Sequence, residues 1–320
     1  MEKEKIMFML LGCLAVLLVQ SLSAATPAHV DAFPVTVTDA LHHQVMLKSR
    51  PKRIISLAPA VTENLFLIGA GERVVANTTY CKYPLKARGL PKIGGYMDPD
   101  TEKVLSLKPD LVIAACGTRN DILDHMRAVG LTVLAVDDTS LDGIDASLKL
   151  IGRATGCSAA AGSVVTRLDA RRAAVRKKTA HLSAAQRPGV LFLFSFNDLY
   201  TAGPGSFVDE LIQLAGGRNI AAVTRLPWPQ LSMETVVAAN PQVILVLPGN
   251  MGDAKSPLTA HRALATLRGR QAWHGIAAVK NGHVAVLDDD EVTLPGPRLL
   301  NGLEAIARAV HPELFSGRGQ

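Results

Sequence analysis

Two stretches of this chain carry one pattern 132 residues apart, and that repeat constrains the fold more than any other feature. Tyr96 is followed six residues later by Glu102, then by Lys108-Pro109-Asp110 and the apolar run Leu111-Val112-Ile113. Trp228 is followed six residues later by Glu234, then by Asn240-Pro241-Gln242 and Val243-Ile244-Leu245. A repeat of this kind implies one structural unit built twice, so the chain is expected to form two lobes related by approximate twofold symmetry.

Each half alternates short β-branched runs with amphipathic helical segments. Strands are predicted at Ile54 to Leu57, Arg73 to Ala76, Leu111 to Ala114 and Thr132 to Val136, with helices at Thr62 to Ile68, Thr101 to Leu107 and Ile122 to Val129. After Pro188-Gly189 the alternation resumes, with strands at Val190 to Phe194, Val243 to Leu247 and Val284 to Leu287. Helices at Phe207 to Ala215, Met233 to Ala239, His261 to Leu267 and Leu299 to Val310 complete the second half. Such alternation predicts an α/β fold whose parallel sheets are covered on both faces. Between the halves, Ser158 to His181 lacks proline and reads as a helix roughly 36 Å long at 1.5 Å per residue, enough to bridge two lobes.

The chain has 320 residues, 48% of them apolar, enough for two cores. Its start, with Lys3 and Lys5 before an apolar run from Ile6 to Val19 and then Ser21-Leu22-Ser23-Ala24-Ala25, has the order of a secretory leader cleaved after Ser23 or Ala25. The run falls short of the roughly 20 residues that span a bilayer. Cys13 lies mid-run, where a lipid-attachment site would leave almost no inserting segment upstream. The expected plan is a signal peptide at 1–25, an N-terminal extension at 26–50, a first α/β lobe at 51–156, an inter-lobe helix at 157–184, a second lobe at 185–314 and a tail at 315–320, in a soluble periplasmic protein.

Cys81, Cys116 and Cys157 remain after such cleavage, and an odd count in an oxidising compartment leaves at least one free thiol. A Cys81–Cys116 disulfide stays open. The formal charge is +6, and basic residues gather at Arg167, Arg171, Arg172, Arg176, Lys177 and Lys178. Interleaved with Val164, Leu168 and Val175 at helical spacing, they read as a solvated helix face rather than a nucleic-acid surface.

In the repeated unit, Asp100 and Ser232 precede the two short helices and suit the N-cap. Glu102 and Glu234 then fall in the first turn, where the helix dipole favours negative charge, so a purely helix-starting role is one reading of them. Aromatic residues make up only 4% of the chain, yet Tyr80, Tyr83, Tyr96, Tyr200 and Trp228 all fall in loops beside predicted strands. In open α/β sheets ligands bind at the carboxyl ends of strands, so these loops point to a large, partly apolar ligand. The local signatures of a phosphate-binding loop, a zinc protease and a serine-hydrolase elbow are missing from the sequence. Gly203-Pro204-Gly205 reads as a helix-start turn, and His42-His43 as a surface pair rather than a metal site.

Three segments carry a family likeness: Arg53-Ile54-Ile55-Ser56-Leu57-Ala58-Pro59-Ala60-Val61-Thr62-Glu63, Ser106-Leu107-Lys108-Pro109-Asp110-Leu111-Val112-Ile113, and Phe207-Val208-Asp209-Glu210-Leu211 through Ala215-Gly216-Gly217-Arg218-Asn219-Ile220. With them the chain from Arg53 to Val310 resembles the periplasmic binding proteins that serve cobalamin, haem and iron-siderophore ABC importers. The resemblance implies two Rossmann-like lobes joined by a single long α-helix, a ligand cleft between them, no catalytic or metal-binding residues and no covalent cofactor. Pro227-Trp228-Pro229-Gln230-Leu231-Ser232, Thr201-Ala202-Gly203-Pro204-Gly205 and Tyr80-Cys81-Lys82-Tyr83-Pro84 look most like cobalamin-binding members. By that likeness cobalamin is the transported ligand. Tyr80 or Tyr83, Tyr96, Phe194 and Trp228 would line the cleft, and Glu102 and Glu234 would meet an inner-membrane permease dimer. Ala115 stands where some cobalamin binders carry a cleft tryptophan. The alternatives are a haem or ferric-siderophore carrier, with Tyr83 as an axial ligand to haem iron, and a chelatase-like periplasmic enzyme using carboxylates such as Asp288 to Glu291.

Overall fold

The computed structural model describes residues 31–115, 117–194, 198–248 and 258–315. The leader expected at 1–25, Cys13, Cys116 and most of the tail lie outside the described residues.

The described chain opens with an antiparallel hairpin, β1 (Val35–Thr38) and β2 (Gln44–Leu47). Alternation buries Val37, Val45 and Leu47 while the threonines face outward. Asp39 seats the hairpin on the first lobe: its buried carboxylate accepts N–H groups of Leu41 and His43 and the Arg127 Nη2 at 2.9 Å, while Ala40 N–H donates to Ala135 O. The segment expected only as an N-terminal extension thus holds a hairpin at 35–47 whose Val37, Val45 and Leu47 join the core of the first lobe.

Four parallel strands make the first sheet: β3 (Ile54–Ser56), β4 (Val74–Asn77), β5 (Leu111–Ala115) and β6 (Val133–Val136), in spatial order β4-β3-β5-β6. The second sheet holds β7 (Gly189–Leu193), β8 (Arg218–Asn219), β9 (Val243–Val246) and β10 (Val284–Val286), in order β10-β9-β7-β8. Counted along the chain, each sheet runs 2-1-3-4, so both halves have the same topology, with the reversal of strand order between the first and third strands. The near-continuous apolar runs follow from burial on both faces; every residue of β5, β6, β7 and β9 is buried.

The repeat extends to backbone detail. Asp100 Oδ1 accepts Lys103 N–H at 2.9 Å and Ser232 Oγ accepts Thr235 N–H at 3.2 Å, so both predicted N-caps form, on helices Thr101–Ser106 and Met233–Ala239. Val104 and Val236 plug each helix into its lobe, both fully buried. The residues past the last turn, Lys108 (φ 46°) and Asn240 (φ 42°), are both left-handed, closing each helix before the proline that leads into β5 or β9.

A 15-residue helix, Leu141–Thr155, lies outside the helices expected from the sequence. Its signals were present: Ser140 caps it, Leu141, Ile144, Leu148 and Ile151 form its buried stripe, and Gly156 ends it at φ 67°. The predicted long helix is Ser158–Thr179, packed against Leu141–Thr155 on one side and against Phe207–Leu214 and Leu299–Val310 on the other. Its basic face is not uniformly solvated. Arg172 is buried and paired with Asp145 and Asp169, while Arg171 donates to Glu304 at 2.9 Å and to Asn301 at 2.8 Å. Adjacent arginines therefore tie this helix to both lobes, a use that charge patterning alone does not reveal.

Candidate functional site

The strand ends at the two switch points face one cavity of about 590 Å³. Ala58, Pro59 and Ala60 after β3, and Ala115 and Gly117 at the end of β5, supply an apolar wall from the first lobe. Gly205, Phe207, Pro227 and Trp228 come from the second lobe, followed by Thr293, Leu294 and Pro295 beyond β10. Asp138 and Thr139, after β6, complete the lining.

Of the aromatic residues singled out from sequence, Tyr80, Tyr96 and Trp228 lie in this wall. Tyr80 and Tyr96 meet edge to face at 5.7 Å, and Trp228 meets Phe194 at 5.9 Å and Phe207 at 5.7 Å. Phe194 supports Trp228 from behind and stacks edge-on with Phe192 of β7 at 5.0 Å. Tyr83 lies outside the lining, its ring 4.6 Å from the Arg298 guanidinium. Tyr200 pairs with Gln230 in a β-bridge and is half-exposed. Phe207, which in sequence opens a helix and one of the family-like segments, has its place beside Trp228 only through the tertiary fold. Tyr80, Tyr96 and Trp228 keep 37 to 55% of their surface in water, which is apolar area for a ligand to cover.

Backbone pairing explains why Trp228 stands where it does. Thr201 N–H donates to Pro229 O at 3.0 Å, Gly203 N–H to Pro227 O at 2.9 Å and Leu231 N–H to Leu199 O at 3.1 Å, zipping the tryptophan loop onto the segment after β7. Glycine is required at 203, since a Cβ there would lie 2.2 Å from Leu226 O. Gly117, at φ 103°, similarly backs the Tyr96 ring, where a Cβ would come within 3.2 Å.

Glu102 and Glu234 are exposed in the first turns of their equivalent helices. Glu234's carboxyl is held below the usual carboxylate range by its own backbone N–H and then by the Ser232 hydroxyl. Cys81 is a free, buried thiol with the Thr62 and Thr78 hydroxyls each 3.2 Å from its sulfur. A second hollow of about 700 Å³ surrounds Arg172 and Glu210 at the lobe junction. Four of the charged side chains lining it are engaged within the protein: Arg172 with Asp169 and with Asp145, Arg187 with the carbonyls of Thr179 and Gln213, and Glu210 with Leu141 N–H at 3.0 Å. The aromatic cavity is the better ligand site. Among the described residues no cluster of three or more histidine, cysteine or acidic side chains is arranged to hold a metal ion. Nor is any described helix long and apolar enough to cross a membrane.

The periplasmic binding protein family profile matches residues 54–291. An uncharacterized ABC transporter substrate-binding lipoprotein, YvrC of Bacillus subtilis, is 33% identical over 290 residues, 89% of this chain and 88% of the relative. A cobalamin-binding protein of Halobacterium salinarum is 32% identical over 302 residues, 91% of this chain and 79% of the relative. The periplasmic heme-binding protein RhuT from Roseiflexus sp. RS-1, in apo form, superimposes with a TM-score of 0.69 at 29% identity, covering 82% of this chain and 99% of that one. Such families consist of substrate-binding transport proteins rather than enzymes.

Proposed function

We propose that this chain, which belongs to the periplasmic binding protein family, captures cobalamin (vitamin B12) and delivers it to the permease of an ABC importer. The observation that carries the ligand is the chemistry of the cavity. Its wall is aromatic and aliphatic, and among the described residues that line it the one acidic or basic side chain is Asp138. A haem brings two propionate carboxylates, and an acidic siderophore brings similar charge; each would need a cation in the wall. A corrin ring rimmed by neutral amides suits aromatic stacking beside a hydrogen-bond acceptor. The likeness to a cobalamin-binding protein supports the same reading.

Export through a cleaved leader into the periplasm, and docking through Glu102 and Glu234, belong to this proposal. Both glutamates project from equivalent helix starts, one per lobe, so a twofold permease would meet one from each half. The test of the ligand is an absorption spectrum of protein mixed separately with cyanocobalamin and haemin, then desalted. The corrin bands should travel with the protein and the haem band should not. Retention of haemin but not of cyanocobalamin, abolished by Tyr83→Phe, would overturn the assignment in favour of a haem carrier.

A further inference from the structure

An ion pair joins the two walls of the cavity. Arg298 donates through Nε to Glu63 Oε2 at 3.0 Å and through Nη2 to Glu63 Oε1 at 2.7 Å, a two-point fork between the second lobe and the first. Nη2 also reaches Asp290 Oδ2 at 3.3 Å within its own lobe, and the Tyr83 ring covers the guanidinium. The Glu63 side chain is only 3% exposed, so its charge has to be answered by the protein. In return Glu63 holds the guanidinium more firmly protonated than a free arginine.

What this pair holds is the cavity itself. Glu63 stands one turn into helix Pro59–Leu67, whose start forms the first-lobe wall at Ala58, Pro59 and Ala60. Arg298 stands three residues past Pro295, the last of the residues 293–295 that line the opposite side. Between them Gly296 lies so close to the first lobe that a Cβ there would sit 3.6 Å from the Ala60 Cβ.

We propose that the Glu63–Arg298 pair is the inter-lobe tie that fixes the width of the ligand cavity. Arg298 is then a positioning residue for the wall at 293–295, and Tyr83 is the cover of the pair rather than a wall of the cavity. The inference deepens the ligand reading, on which it rests only for the identity of the cargo. A lysine cannot replace the arginine, because a point charge lacks the planar fork that grips both carboxylate oxygens.

The experiment compares wild type with Arg298→Lys, Arg298→Ala and the neutral pair Glu63→Gln with Arg298→Gln, which leaves no buried charge unanswered and serves if the alanine variant does not fold. Amide hydrogen exchange on ligand-free protein is read at residues 293–299 and at Pro59–Leu67. Faster exchange in both segments, at least tenfold in the neutral pair and smaller in Arg298→Lys, is expected, with β5 and β9 unchanged. Titration with cyanocobalamin should show affinity lowered at least tenfold in the same order. A folded variant with wild-type exchange in both segments would overturn the tie. So would faster exchange with affinity within twofold of wild type, because the pair would then be structural only. If wild type binds no cyanocobalamin, the ligand reading fails, and the exchange measurement still decides the tie.

Discussion

Trp228 and Tyr96 are equivalent positions of the repeat, yet the two lobes support them differently. Trp228 is backed by Phe194 and Phe207, while Tyr96 leans edge-on against Tyr80 over a glycine at 117. Each edge contact is worth about 0.5–1.5 kcal/mol, enough to hold a ring in place before the ligand arrives. Since both rings line the cavity and remain partly in water, their main contribution is expected in binding rather than folding. Trp228→Ala and Tyr96→Ala should each weaken cyanocobalamin binding by about 1–3 kcal/mol, the range for losing a large buried contact. Spectroscopic titration measures this, and a change under about 0.5 kcal/mol at both positions would remove the aromatic wall from the ligand site. That aromatic residues belonged in these loops was legible from sequence, because rings placed beside strand ends have few other partners. Which ring faces the cavity was not legible: Tyr80 and Tyr83 are three residues apart, and only the packing of Arg298 on Tyr83 separates them.

At the scale of the element, the two short helices are the same device used twice. Each has a polar cap, a glutamate in the first turn, a buried valine and a left-handed residue before the proline. Their glutamates are exposed, so the lobe does not need them for packing. Glu102→Ala combined with Glu234→Ala should leave ligand affinity of the isolated protein nearly unchanged and severely impair uptake in cells, with each single change less harmful. If the glutamates serve only their helices, the double variant should lose a little thermal stability through the dipole interaction and transport normally. Uptake, ligand titration and thermal midpoint on one double variant separate the two outcomes. These helices were readable because caps and first turns are local, written within a few residues. The signals of helix Leu141–Thr155 are equally local, whereas the tie between the long helix and both lobes through Arg171 and Arg172 depends on partners more than twenty residues away.

For the whole molecule, the lobes are held by the long helix with its paired arginines, by Glu210 on Leu141 N–H, and by Arg298 on Glu63. A joint braced at several points leaves little room for hinge closure. Small-angle scattering curves of free and ligand-loaded protein should nearly superimpose, and a fall of several Å in radius of gyration on loading would contradict a braced joint. The sequence by itself determined the two-lobed α/β plan, the parallel sheets and the matching helix starts. Those rest on periodicity, capping and turn chemistry, which act over a few residues and repeat at a constant offset. Only the tertiary structure decided which rings form the cavity, that Arg172 is buried, and that Glu63 meets Arg298 across 235 residues of chain. Such contacts arise when strand order brings distant loops to one edge, and neither partner carries in its neighbouring residues any mark of the other.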